Sequence, residues 1–254
     1  LNRHQYLFTF ARAYALTGEA RYAERIVSLV EDWWTRNPLG QGVNWSSSLE
    51  VGVRAISWLW TLPLILDWPG FEDHLLRQWL LSLYEHYVYL GGRLSLYTDP
   101  TNHLIGEVSA LWLLSAALPN LDVGKRDEQR KLYLLGREIQ RQVSADGVGL
   151  EQSTGYQRFV LDFYLQVLAL ARRTNRILPA VIEQRVGAML DFLAALAGEE
   201  AEAPAIGDSD DGRGVPFPEF CGRNFRDTLT AGAALLGRNA PLARVPEVAV
   251  WLAG

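Results

Sequence analysis

Cysteine is almost absent from this 254-residue chain: Cys221 is the only one, so no intrachain disulfide can form. Four histidines and one cysteine, set far apart, give no zinc-ligand spacing, and the residues call for no metal and no cofactor. Excess positive charge is also missing. The formal net charge is −5 with 21% charged residues, and no basic stripe appears, which argues against a nucleic-acid surface. No apolar run has the length and purity of a membrane span. The richest, 51–68, carries Arg54 and Ser57, has Pro63 and Pro69 in it or beside it, and reads as a buried helix. Alternating apolar–polar strands of useful length are lacking too. The chain starts at Leu1 inside a helical pattern, without Met or signal peptide, and so reads as a fragment or trimmed piece.

What is present is apolar and aromatic. Hydrophobic residues make up 49%, enough for a large core, and there are nine Trp and ten Tyr. Most of these aromatics belong in the core, while some suit the flat C–H face of a sugar ring. Helical periodicity covers about 2–16, 19–36, 48–67, 71–90, 101–118, 124–143, 154–174, 179–197, 220–236 and 243–253. These segments pair into hairpins roughly every 50 residues. The first helices near 48, 101 and 154 are the more apolar, and those near 71 and 124 the more charged, as an inner and an outer layer require. The expected fold is all-α: an incomplete α/α toroid of antiparallel helix hairpins over residues 1–254, with an open solenoid as the competing arrangement.

Four polar segments, 42–50, 98–107, 145–158 and 206–213, enter first helices, and in a ring of hairpins they share one rim. In 98–107, Asn102 and His103 stand at a helix start that Asp99 or Thr101 can cap, with Glu107 one turn later. Free N–H donors there suit an anionic ligand. Each residue has a plainer reading. Asn102 can be a capping amide, His103 a structural histidine, Tyr156 a core tyrosine and Trp45 buried packing. Arg54 can be the i,i+4 partner of Glu50, or else a clamp on a carboxylate or sulfate. Asp208, Asp210 and Asp211 look like a calcium loop, but the spacing fails, since Gly212 falls where an acidic or amide ligand is needed. They read as a rim loop touching sugar hydroxyls.

Several motifs in order carry a resemblance. They are Asn-Arg-His-Gln-Tyr-Leu at 2–7, Gly-Val-Asn-Trp at 42–45 with Ser-Leu-Glu and Arg54, and Asn-His-Leu-Ile-Gly-Glu at 102–107. Asp-Gly-Val at 146–148 with Glu-Gln-Ser-Thr and Tyr156, and Gly-Asp-Ser-Asp-Asp-Gly at 207–212, complete the set. Together they make the chain similar to the heparinase II/III-like polysaccharide lyases over most of 2–213. The resemblance implies an α/α toroid followed by antiparallel β-sandwich domains, of which one contributes a site histidine; that part would lie beyond Gly254. It implies an acidic, uronic-acid-containing polysaccharide such as a glycosaminoglycan as substrate, and a periplasmic or secreted setting. It also implies β-elimination with Asn102 neutralising the uronate carboxylate, Tyr156 as base and acid, and His103 assisting. Asn44, Trp45, Arg54, Glu107, Glu151, Arg158 and Asp208 are then candidates for substrate binding.

The chemistry explains why such residues are needed. The uronate carboxylate makes C5–H a poor acid, so a donor must neutralise it while a base stands over C5. An ordinary tyrosine has a pKa of about 10, one pKa unit is about 1.4 kcal/mol, and a helix N-terminus supplies roughly 0.3–1 kcal/mol. A cation must therefore help Tyr156, and Arg158, Arg54 and His103 are the candidates. Two other functions fit the residues: a glycoside hydrolase using Glu151 and Asp208 as paired carboxylates, or a non-catalytic glycan-binding or assembly protein.

Overall fold

In the computed structural model, residues 2–97, 101–121, 125–208, 212–215, 224–238 and 246–253 are described. Ten α-helices are present among them: α1 (Gln5–Thr17), α2 (Ala20–Arg36), α3 (Ser48–Thr61), α4 (Asp73–Gly91), α5 (Asn102–Ala117), α6 (Lys125–Gln142), α7 (Thr154–Arg173), α8 (Ala180–Ala197), α9 (Arg226–Leu235) and α10 (Glu247–Ala253). Among the described residues β pairing is limited to two isolated bridges, Val143 with Gly149 and Glu202 with Asn224. No described helix is long and apolar enough to cross a membrane. Asp99, Pro100, Asp210, Asp211 and Cys221 lie outside the described residues.

Helix ends follow local chemistry. Ser47 and Ser153 cap α3 and α7 by accepting from the N–H groups of Glu50 and Tyr156. Gly18, at φ 69°, closes α1 in the left-handed conformation. Two bounds differ from expectation. α3 stops at Thr61 rather than 67, because Pro63 has no N–H for the next helical bond, and a short 3-10 turn, Leu62–Leu64, follows. α1 starts at Gln5 rather than Asn2 because His4 takes a left-handed φ of 54°.

The packing is a two-layer arc. α1, α3, α5, α7 and α9 each touch the next in that order. α2 packs on α1, α4 on α3 and α5, α6 on α5, and α8 on α7 and α9. This is the incomplete α/α toroid, with hairpin after hairpin laid side by side. Inner helices α5 and α7 are buried on nearly all sides; α5 is accordingly apolar nearly all round, while α7 buries Gln157, Arg158, Asp162 and Gln166 among its apolar residues. Gly106 lets them close up: a Cβ there would press on Leu49 of α3 and stand 2.9 Å from the Phe163 ring of α7.

Alternation of inner and outer helices puts the starts of α3, α5 and α7 at one end of the arc. The loops entering them therefore share a rim, and they are tied to one another there.

Candidate active site on the toroid rim

The turn before α7 is the most heavily braced part of the rim. Gln157 accepts from the Gly149 N–H at 2.9 Å and donates to the Gly147 carbonyl at 2.7 Å. The Leu150 N–H reaches the Gln142 carbonyl at 2.8 Å. The loop at 204–208 clasps the same turn. Thr154 N–H donates to Ile206 O at 3.0 Å, Thr154 Oγ1 donates to Pro204 O at 2.9 Å, and Ser153 Oγ donates to Asp208 O. Gly207, at φ 70°, is required here, because a Cβ would collide with the Gln152 carbonyl.

From this turn Glu151 reaches the start of α5. One carboxylate oxygen accepts from the Asn102 backbone N–H at 2.9 Å and the other from its Nδ2 at 2.7 Å. Thr101, at the N-cap position, makes no side-chain capping bond. The cap of α5 thus comes from 49 residues away in sequence, where a carboxylate also meets the favourable end of the helix dipole. Glu151 and Tyr156 line one small recess together with Gln142, Val160 and Met189. Asn102, bonded to Glu151, thus lies on the same stretch of rim as the recess that Glu151 and Tyr156 share. Asn102 is 5% exposed, and His103 and Tyr156 are half-buried.

Four of the expected substrate contacts are buried in the structure. Arg54 is fully buried and feels the charge of Glu50, but its hydrogen bonds go to other residues. Its Nε donates to His86 Nε2 at 2.9 Å, its Nη1 donates to Asn2 Oδ1 at 2.5 Å and to Asn44 O at 3.1 Å, and its guanidinium lies 4.6 Å and 5.0 Å from the Trp33 and Trp45 rings. These contacts tie Arg54 into the core. Trp45, 2% exposed, has its ring against Trp33, His86 and Tyr89, so no face remains for a sugar. Glu107 is fully buried and accepts from both the backbone N–H and the hydroxyl of Ser95, each at 2.7 Å, pinning the segment after α4. Burial pushes its carboxyl up, against the pull of those Ser95 bonds and of His103. Arg158, 2% exposed, points towards α9, lying 5.0 Å over Phe225 and donating to Asn224 O at 3.4 Å. It is two positions from Tyr156 and faces the other side of α7.

The other candidates keep polar surroundings. Asn44 is half-buried and donates to Asn37 Oδ1 at 2.6 Å, and Asp208 is exposed on the clasping loop. Glu151 cannot readily serve as a hydrolase acid, since both its oxygens accept N–H donors and a general acid must carry a proton.

Two features escaped the sequence reading. Arg3 pairs with Glu50 at 2.7 Å, and its guanidinium stands 5.5 Å over the Phe159 ring, one turn along α7 from Tyr156. It links the N-terminal segment to α3 and to the Phe159 face of α7. Asp162, in the apolar middle of α7, pairs with Arg213 at 2.7 Å and accepts from Gly214 N–H at 3.1 Å, while Gln5 donates to Arg213 O at 2.7 Å. This anchors 212–215 against α1 and α7. A charge inside an apolar helix was the available signal. A roomier cavity of about 640 Å³ lies between α8 and α9, but none of the rim residues lines it. A polymer-binding face is an open surface rather than an enclosed pocket, so the geometry of the rim weighs more than cavity size.

The fold and rim together define an α/α-toroid protein with its polar loops on one rim. The family model described as Heparinase II/III N-terminus matches residues 1–225, and the chain belongs to that family. It is 29% identical over 216 residues to a heparin-sulfate lyase of Pedobacter heparinus, covering 82% of this chain and 32% of that protein. A heparin-sulfate lyase of Bacteroides thetaiotaomicron is 26% identical over 185 residues, covering 71% and 26%. A crystal structure of a mutant of heparan sulfate lyase HepC from Pedobacter heparinus superposes with a TM-score of 0.71 at 25% identity, covering 97% of this chain and 40% of that one. The chain thus spans about a third of the length of the curated relatives it matches.

Proposed function

We propose that this chain is the toroid part of a polysaccharide lyase that cleaves a uronic-acid-containing glycosaminoglycan by β-elimination. The observation that carries the reading is the bond of Asn102 to Glu151, which in turn lines one recess with Tyr156 on the same rim. Membership of the heparinase II/III family and the heparin-sulfate lyase relatives support it. In this reading the Asn102 amide donates to the uronate carboxylate, whose charge grows as C5 loses its proton. The Tyr156 oxygen takes that proton. The electron pair forms the C4–C5 double bond, the C4–O bond breaks, and the leaving oxygen takes a proton from the tyrosine hydroxyl. His103, at the same helix start as Asn102, contacts the sugar. The complete protein adds β-sandwich domains over this rim and the further histidine that the family resemblance implies.

The test is to incubate the complete encoded protein with heparan sulfate, hyaluronan and alginate and to follow the near-ultraviolet band of an unsaturated uronate. Tyr156→Phe should abolish turnover while polymer binding stays near wild type, because only the proton-transferring oxygen is lost. Asn102→Ala should weaken binding and lower the rate by about 10²–10³, the usual cost of one such donor. Full activity in Tyr156→Phe overturns the assignment, and cleavage without the ultraviolet band points to hydrolysis.

A further inference from the structure

We infer that Glu151 is a positioning residue that sets the orientation of the Asn102 amide, rather than a contact to substrate; the kinetic part of this inference rests on the lyase reading above. A carboxylate only accepts hydrogen bonds, so Asn102 must turn Nδ2, not Oδ1, towards it. The 2.7 Å bond to Nδ2 and the 2.9 Å bond to the backbone N–H of the same residue fix both the side chain and the first turn of α5. The Asn102 side chain makes no other hydrogen bond among the described residues, which leaves its second Nδ2 hydrogen for a ligand. One amide nitrogen then serves two carboxylates, that of Glu151 permanently and that of a uronate on binding.

Glu151 is suited to this because its own backbone is held on both sides. Leu150 N–H bonds Gln142 O at 2.8 Å, and Gln152 N–H bonds Gly149 O at 3.0 Å. Gln152 takes a left-handed φ of 53° against the close approach of Gly207. The braced turn before α7 therefore dictates the geometry of the looser start of α5, and it does so from the same turn that delivers Tyr156. Neutraliser and base are placed by one rigid piece, as a reaction that is sensitive to displacements of about 1 Å demands.

The experiment is a mutant cycle in the complete encoded protein, with heparan sulfate or whichever uronate polymer it cleaves. Glu151→Ala should lower kcat about 10²-fold, approaching the effect of Asn102→Ala. The double variant should be no slower than Asn102→Ala alone, within about twofold, because Glu151 acts only through Asn102. Glu151→Gln has one acceptor oxygen for two donors and should fall between wild type and Glu151→Ala. An additive double variant, or a wild-type kcat in Glu151→Ala, overturns the inference, and circular dichroism separates these results from unfolding. Should the wild-type protein cleave no uronate polymer, the lyase reading fails and the geometric claim is judged separately. The Asn102 side-chain NH2 signals, read by NMR, should be shifted and slow to exchange in wild type and average towards free-amide values in Glu151→Ala. Identical signals in the two proteins refute it.

Discussion

Acid should loosen this fold through two histidines around Arg54. His4 accepts from the Trp58 indole N–H at 3.0 Å on Nδ1, and His86 accepts from Arg54 Nε at 2.9 Å on Nε2 while its Nδ1 faces Ser82 O at 2.6 Å. Both rings are used as neutral acceptors. Burial, followed by the nearby Arg54 charge, lowers His4 to about 3 and holds His86 well below its ordinary value. Burial also draws Arg54 down to about 9, which leaves it charged at neutral pH. In the unfolded chain both histidines titrate near 6.5. Protons therefore bind the unfolded state first, and stability is fully present above about pH 6.5 and falls as the pH drops from there towards the folded values. One pH unit below 6.5, at pH 5.5, each histidine costs about 1.4 kcal/mol and the pair about 3 kcal/mol. His4 is 5% exposed and His86 not at all, so solvent screening takes little from this. Set against a typical total of about 5–15 kcal/mol, the loss is large. Urea unfolding followed by tryptophan fluorescence at pH 7.5 and 5.5 measures it. The comparison is His4→Asn with His86→Gln, whose amide oxygens replace the acceptor nitrogens without titrating, and Asn tolerates the left-handed φ at position 4. The double variant should lose about 3 kcal/mol less than wild type between the two pH values. Equal losses, or imidazole NMR signals titrating near 6.5 in the folded protein, would refute the argument.

Further outcomes follow from the braces of the rim. Asp162→Asn removes one partner of a buried ion pair and leaves Arg213 facing an amide, which should cost about 3–5 kcal/mol in urea unfolding; a loss under 1 kcal/mol would show that the pair does not hold 212–215. Gly207→Ala forces a side chain into a left-handed residue against the Gln152 carbonyl, so the 204–208 loop should lift from the turn before α7. Faster limited proteolysis in that loop, with α-helical circular dichroism unchanged, is the expected result.

The chain alone determined the helices and most of their ends, because these depend on neighbours a few residues away. Apolar periodicity, the caps Ser47 and Ser153 and the stop at Pro63 are all local, and recurring hairpins with apolar first helices led to the toroid. The same locality placed Asn102 and Tyr156 at helix starts and grouped the polar loops on one rim. What only the tertiary structure decided is which polar residues face that rim. Arg54 and Trp45 look functional in sequence, yet the aromatic cluster of α2, α3 and α4 closes over them, and burial depends on what other helices bring. Arg158 was turned away by the docking of α9, and Glu107 was claimed by Ser95. Glu151 found Asn102, Arg3 found Glu50, and Asp162 found Arg213 across 47 residues or more. Sequence spacing cannot reveal such partners, because a buried charge is placed by the chain segment that folds against it and not by the residues beside it.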